Sequence, residues 1–131
     1  MSLADQLNAE PLPLARHLGI EIVEAAPERV IARLVVTEAL CTSGGILHGG
    51  AFMALADTAG AIGASLNLPA GAGTTTLESK TNFLGGARVG VTVSAEATPV
   101  HIGRRSSVWQ TRITNPDGKL LALVTQTQLV I

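Results

Sequence analysis

From Gly49 to Leu66 the chain runs GGAFMALADTAGAIGASL, a stretch of alanines, glycines and larger apolar side chains interrupted by a single charge, Asp57. Read as a helix, such a segment has no polar face to give to water, so the rest of the chain must surround it. Each glycine costs about 1 kcal/mol of helix propensity relative to alanine, which makes sense only where a neighbour packs very close. The pattern predicts one long helix over His48–Asn67. Its small residues and its carboxylate make it a buried helix and not a membrane span.

The flanking sequence supplies the cover. Alternation predicts strands over Ile20–Ala25 and Arg29–Val36, joined by a turn at Ala26-Pro27-Glu28, with Val30, Ala32, Leu34 and Val36 on one face. A breaker-rich loop, Leu68–Gly73, follows the helix. Four more strand-like runs come after it: Thr74–Leu84, Val89–Val100, Arg104–Thr114 and Leu120–Ile131. The third places Arg105, Ser107, Trp109, Thr111 and Ile113 on one face, and Asn115-Pro116-Asp117-Gly118 is a hairpin turn. A short N-terminal helix is predicted over Pro11–Leu18, and Thr42–Gly45 reads as loop. Strand, strand, helix and four strands, without alternation, give an α+β class and one domain over residues 1–131.

Composition narrows the function. With no Tyr, two Phe and one Trp, the core must be built from Ala, Val, Leu and Ile. Nine basic against ten acidic residues exclude a general nucleic-acid surface, so an anionic ligand would be held by a few local cations or backbone N–H groups. Cys41 is the only cysteine, which forbids an intrachain disulfide and fits a reducing compartment. The opening MSLADQLNAEPLP has no basic start followed by an apolar run, so no signal peptide is expected and the cytoplasm is the expected location. His17, His48 and His101 form no metal-ligand pattern, and no metal or cofactor is expected.

Asp57 therefore stands out. A carboxylate inside an apolar helix costs several kcal/mol unless paired or hydrogen-bonded. It either faces the surface, or is satisfied by hydroxyls such as Thr58 or Thr75, or is there for chemistry. Ahead of the helix lies Gly44-Gly45-Ile46-Leu47-His48-Gly49-Gly50, and glycines opening a helix expose free N–H groups at its positive end. Such donors can hold a developing oxyanion. The segment matches neither dinucleotide nor P-loop patterns. Gly49 and Asp57 are eight residues apart, roughly 12 Å along a helix. One scissile group cannot touch both, so if both act, Gly49 of one chain serves Asp57 of another, as a two-fold dimer with antiparallel helices would allow.

Leu47–Ala59, LHGGAFMALADTA, resembles the HGG…D signature of the hotdog-fold thioesterases, most closely the PaaI-like branch and its 4-hydroxybenzoyl-CoA thioesterase relatives. Thr75–Leu84 and Gly103-Arg104-Arg105 are similar too, and the resemblance extends over about residues 12–131. It implies a long central helix wrapped by a five- to six-stranded antiparallel sheet. It also implies dimers that often pair into tetramers, and metal-free hydrolysis of acyl-CoA, with coenzyme A entering as part of the substrate. By the same resemblance the acidic residue is Asp57, the oxyanion amide is that of Gly49 with His48 and Gly50 beside it, and Thr75 is the hydroxyl on the strand after the helix. Thr42 stands where the family usually has Asn or Gln, and the implied role is contact with the thioester or the water. Asp57 would activate a water or attack directly.

Arg88, Arg104 and Arg105 are the cations suited to the phosphates of coenzyme A, or are solvated strand-end charges; in a regular strand Arg104 and Arg105 would face opposite sides. Ala61 and the Leu68–Gly73 loop suggest room for an aryl or medium-chain acyl group. A hydratase of this fold would carry a His where Ile62 stands, and a DNA-binding regulator would need a basic segment ahead of the first strand; a non-catalytic acyl-CoA-binding protein is the remaining alternative.

Overall fold

The computed structural model describes all residues, Met1–Ile131. In chain order it contains helices α1 (Leu3–Ala9) and α2 (Pro13–Leu18), strands β1 (Glu21–Ala26) and β2 (Arg29–Val35), a two-stranded hairpin of β3 (Cys41–Thr42) and β4 (Ile46–Leu47), the long helix α3 (Gly49–Ser65), and strands β5 (Thr74–Phe83), β6 (Thr92–Ile102), β7 (Ser106–Thr114) and β8 (Leu120–Val130). Six of the strands form one antiparallel sheet in the order β1-β2-β6-β7-β8-β5. Helix α3 lies against the face of that sheet and touches every strand in it. This is the α+β arrangement expected from the sequence. No helix is long and apolar enough to cross a membrane.

Period-two alternation sets the sheet's inner face. On β2, Val30, Ala32 and Leu34 are buried while Arg29, Arg33 and Val35 face out; on β7, Ser107, Trp109, Thr111 and Ile113 turn inward. The glycines of α3 explain how the helix comes so near. A Cβ on Gly63 would lie 2.5 Å from Cζ3 of Trp109, and one on Gly60 would lie 2.6 Å from Cδ of Gln126. Trp109 and Gln126 are directly opposed across β7 and β8. Two glycines one turn apart thus seat the helix on one cross-strand pair, and the conformational cost of glycine is offset by packing.

Differences from the sequence reading have local causes. Helix α1 was not anticipated. It is capped by a reciprocal pair, Asp5 N–H to Ser2 Oγ at 3.1 Å and Ser2 N–H to Asp5 Oδ2 at 2.9 Å, and the Ser2 contacts hold the Asp5 carboxyl below the usual carboxylate range. Asn8 then docks it on the edge of β1: its amide donates to Ile22 O at 2.7 Å and its Oδ1 accepts Ile22 N–H at 2.8 Å. The predicted loop after β2 contains the β3–β4 hairpin, turned by Gly44 and Gly45 at φ of 83° and 70°. Strand β6 starts at Thr92, not Val89, because Gly90 turns at φ 92°. Strand β7 starts at Ser106, so Arg104 and Arg105 lie in the preceding turn and the two-faces argument for them does not hold. Helix α3 is shorter than His48–Asn67 because His48 is its N-cap and the Asn67 amide donates to Gly63 O at 2.9 Å past its end.

The close seat of α3 gives a stability prediction. In Gly63→Ala the gain in helix propensity, about 1 kcal/mol, is outweighed by overpacking against Trp109, about 1–3 kcal/mol. Urea unfolding followed by the fluorescence of this lone tryptophan should show a less stable protein; an unchanged or higher midpoint would contradict the packing account.

Candidate active site

Asp57 projects from the middle of α3 toward the β5–β8 edge of the sheet, partly buried. Two donors reach one of its oxygens: Thr76 Oγ1 donates to Oδ1 at 2.6 Å, and Gln126 Nε2 donates to the same Oδ1 at 3.1 Å. Thr76 in turn accepts from Gln128 Nε2 at 2.6 Å, and Gln128 Oε1 accepts from Thr74 Oγ1 at 3.0 Å. Both glutamines are buried, Gln126 at 0% and Gln128 at 1% exposure. Oδ2 has no protein partner. The carboxylate lines a cavity of about 290 Å³ shared with Met53, Ala54, Thr76 and Ser79.

The start of α3 offers donors. His48 caps the helix with its side chain, Nδ1 accepting Gly50 N–H at 2.8 Å, and this geometry places the proton of the neutral ring on Nε2. Ala51 N–H and Phe52 N–H both go to the His48 carbonyl, at 2.9 and 3.3 Å. Gly49 N–H is the first amide of the helix and has no acceptor within it. Hence Gly50, one of the two glycine donors of the sequence reading, has its N–H engaged by His48, while that of Gly49 remains available. A Cβ on Gly49 would stand 3.2 Å from the ring of Phe83, so a side chain at this position would meet that ring.

A second, apolar cavity of about 340 Å³ runs beside the same helix toward its C-terminal end. Its walls include Leu7, Leu12, Ile22, Ala61 and Ile62, with Thr58 and Thr74 at the side of the Asp57 network. Helices α1 and α2 supply one wall, so the unanticipated helix bounds the space expected near Ala61. No three His, Cys, Asp or Glu side chains come together.

The thioesterase superfamily matches residues 44–122, which hold α3 and the strands β5, β6 and β7. The chain belongs to that superfamily. A 1,4-dihydroxy-2-naphthoyl-CoA hydrolase of Listeria monocytogenes is 36% identical over 110 residues, 84% of this chain and 89% of the relative. A thioesterase from Haemophilus influenzae superposes with TM-score 0.91 at 34% identity, over 100% of this chain and 91% of its own. The PaaI protein of the E. coli phenylacetic acid degradation operon gives TM-score 0.89 at 26% identity, covering 98% and 91%. The hotdog fold and thioester hydrolase activity inferred from the HGG…D segment are those of these thioesterases.

For a thioesterase the expected residues fall into two groups. Asp57 and Ala61 are on the middle of α3, while Gly49, His48, Gly50 and Thr42 are at its start, Thr42 being exposed on β3. Thr75 is exposed and makes no hydrogen bond to the carboxylate, which is bonded instead by its neighbour Thr76. Thr58, the other hydroxyl considered for Asp57, donates to Ala54 O at 2.7 Å. The three arginines are exposed and free of ion pairs, yet they do not cluster. Arg88 pairs with Ile46 beside the start of α3; Arg105 O accepts Val130 N–H at the far end, next to Thr74. Sequence reasoning missed Thr76, Ser79, Gln126 and Gln128. The alternating Gln126 and Gln128 were visible as polar residues on one face of a strand, and that face turns inward.

The register makes a sharp distinction. Thr76→Val should lower kcat roughly ten-fold, the worth of one hydrogen bond to a charged group, whereas Thr75→Val should stay within about two-fold of wild type as an exposed change. Steady-state CoA release reads both; the reverse ranking would restore Thr75.

Proposed function

We propose that this protein hydrolyses aryl- or medium-chain acyl-CoA thioesters to free acid and coenzyme A, at a carboxylate-dependent site shared between two copies of the chain. The observation that carries the reading is the lone charge of α3: Asp57 is partly buried, bonded through one oxygen only, and open through its cavity to an incoming group.

The chemistry needs an electrophile activated at the carbonyl oxygen and a nucleophile at the carbon. Gly49 N–H, at the positive end of α3, suits the developing oxyanion. Asp57 either takes a proton from a water that attacks the thioester carbon, or attacks it to form an anhydride that water then opens. In both routes the C–S bond breaks and the CoA thiolate leaves, to be protonated from solvent. Thr42 would hold a water at the rim.

Gly49 and Asp57 are separated by roughly 12 Å of rigid helix, which is why the site is assigned to two chains. The outer edge of β5 supports this. It is unpaired, and Leu77, Phe83 and Leu84 along it are each more than half exposed, at 57%, 52% and 55%. With two such edges and helices antiparallel, the Arg104–Arg105 end of one copy approaches the Arg88 end of the other, gathering cations for the phosphates of CoA. Further pairing to a homotetramer and a cytoplasmic location belong to the same reading. For the acyl group, the apolar cavity beside Ala61 fits an aryl ring or a medium chain, and the Listeria relative is a hydrolase of a bicyclic aryl-CoA.

The first test is release of CoA from a panel of aryl and medium-chain thioesters. Wild type should turn over, and Asp57→Asn should lose at least about 10³-fold in kcat while keeping its fold; binding without turnover across the panel would make this an acyl-CoA-binding protein instead. The second test is complementation. Gly49→Pro removes the amide proton at the first position of the helix, where His48 already has the φ −63° and ψ 140° that a following proline requires; its ring must displace the Phe83 side chain, so the circular dichroism and dimer formation of the variant are checked first. Mixed and reassociated with Asp57→Asn, two inactive proteins should recover about a quarter of wild-type activity, half of the dimers being mixed and each with one intact site. No recovery, despite exchanged subunits, would place the site within one chain.

A further inference from the structure

Gln126 and Gln128 carry a puzzle that packing does not resolve. Both are fully buried on the inner face of β8, where an aliphatic side chain would fill the same volume without polar atoms to satisfy. Gln126 is not even fully satisfied: its Oε1 is buried without a partner, pressed against the open face of Gly60. A buried acceptor left unmet is a cost that calls for an explanation beyond folding.

The direction of the hydrogen bonds supplies one. Thr74 Oγ1 shares its proton between Gln128 Oε1 and Leu129 O, each at 3.0 Å; Gln128 Nε2 donates to Thr76 Oγ1, and Thr76 donates to Asp57 Oδ1. Every donor in this file points toward the carboxylate, an arrangement in which each bond strengthens the next. Gln126 approaches from the neighbouring inward position and donates to the same oxygen. Its amide cannot be reversed, because Oε1 would then face Oδ1, acceptor against acceptor. The missing Cβ of Gly60 is what leaves room for that amide beneath the helix.

We infer that Gln126 and Gln128 are positioning residues that fix Asp57 in a single orientation, with Oδ1 as the anchored oxygen and Oδ2 as the one that reacts, an inference that rests on the thioester-hydrolase reading above. Gln126 acts directly on the carboxylate, and Gln128 through Thr76. The Thr76 hydroxyl, with its proton committed to Asp57, is then not a donor to substrate. The assignment of Oδ2 holds whether Asp57 serves as base or as nucleophile, since both need a lone pair free of other donors and held in line with the reacting atom.

Two measurements test this. In Gln126→Met, which keeps the length and loses the donor, kcat should fall roughly 10- to 100-fold with KM unchanged, and Gln128→Met should fall by less, roughly 3- to 10-fold, also in kcat alone. Either variant within two-fold of wild type, or a loss confined to KM, would overturn the inference. The second readout needs no activity and no glutamine variant: in the ¹H–¹⁵N spectrum of Asp57→Asn, where a neutral acceptor replaces a charged one, the side-chain amide signals of Gln126 should move while those of Gln6 and Gln110 stay. Unmoved Gln126 signals would show that the anchor does not exist. If wild type hydrolyses no thioester but these signals respond, the functional reading fails and the anchor stands; if wild type is active and the Met variants are equally so, the reverse holds.

Discussion

The distance between α3 and the sheet governs the rest of this structure. It is set at Gly60 and Gly63, where the absence of two side chains lets the helix settle on the opposed pair Gln126 and Trp109. With larger residues there the helix would ride higher, and the whole inner face would have to be rebuilt to reach it. Close approach also has a chemical consequence. Asp57 lies one turn ahead of Gly60, so the amide lodged against the bare glycine is already within reach of the carboxylate. The feature that fixes the helix by packing therefore also delivers the first of its polar contacts.

The core is divided across the sheet. On β2 and β6 the inward residues are Val30, Ala32, Leu34, Val93, Ala95 and Ala97, all essentially unexposed and without side-chain polar atoms. On β8 the inward apolar residues Ala122 and Val124 give way along the strand to Gln126 and Gln128, and β5 adds Thr74, Thr76, Ser79 and Thr81, of which Ser79 Oγ and Thr81 Oγ1 are buried without a hydrogen-bond partner. Folding is driven from the apolar side, while polar groups tolerated only at a cost gather at the other. That polar side ends at the one long edge strand whose outer face carries exposed apolar residues. Stability and chemistry are separated within a single layer.

Much of this was legible in the sequence because it rests on patterns with a physical period. The two-residue alternation of β2 and β7, the turn at Asn115–Gly118 and the length of the apolar helix all follow from local rules, and so does the isolation of Asp57. What was not legible depends on register and parity. Thr74, Thr75 and Thr76 are chemically alike, and which of them turns inward is decided by the pairing of Thr76 with Gln128 and by the bulge between Thr76 and Glu78. Helix α1 is too short to announce itself by periodicity and is held by Asn8 on a strand edge 14 positions away. The glutamines of β8 follow the alternation of a strand with one wet face, and only the proximity of Gly60 shows that the face is dry.

Along α3 the two groups suited to the reaction cannot be brought together by any internal movement. The helix between them is a continuous ladder of backbone hydrogen bonds, and bending it through the turns from Gly49 to Asp57 would expose the very alanines and glycines that must stay covered. The arginines pose the same problem independently, with Arg88 at one end of β5 and Arg104 and Arg105 at the other, about 30 Å apart by the length of a ten-residue strand. One operation answers both. A two-fold axis beside the open edge of β5 reverses the partner's helix and strand together, so that each end of one copy faces the opposite end of the other. On the proposed reading the edge strand is left unpaired and apolar because the catalytic carboxylate sits directly behind it and needs what only a second copy can bring.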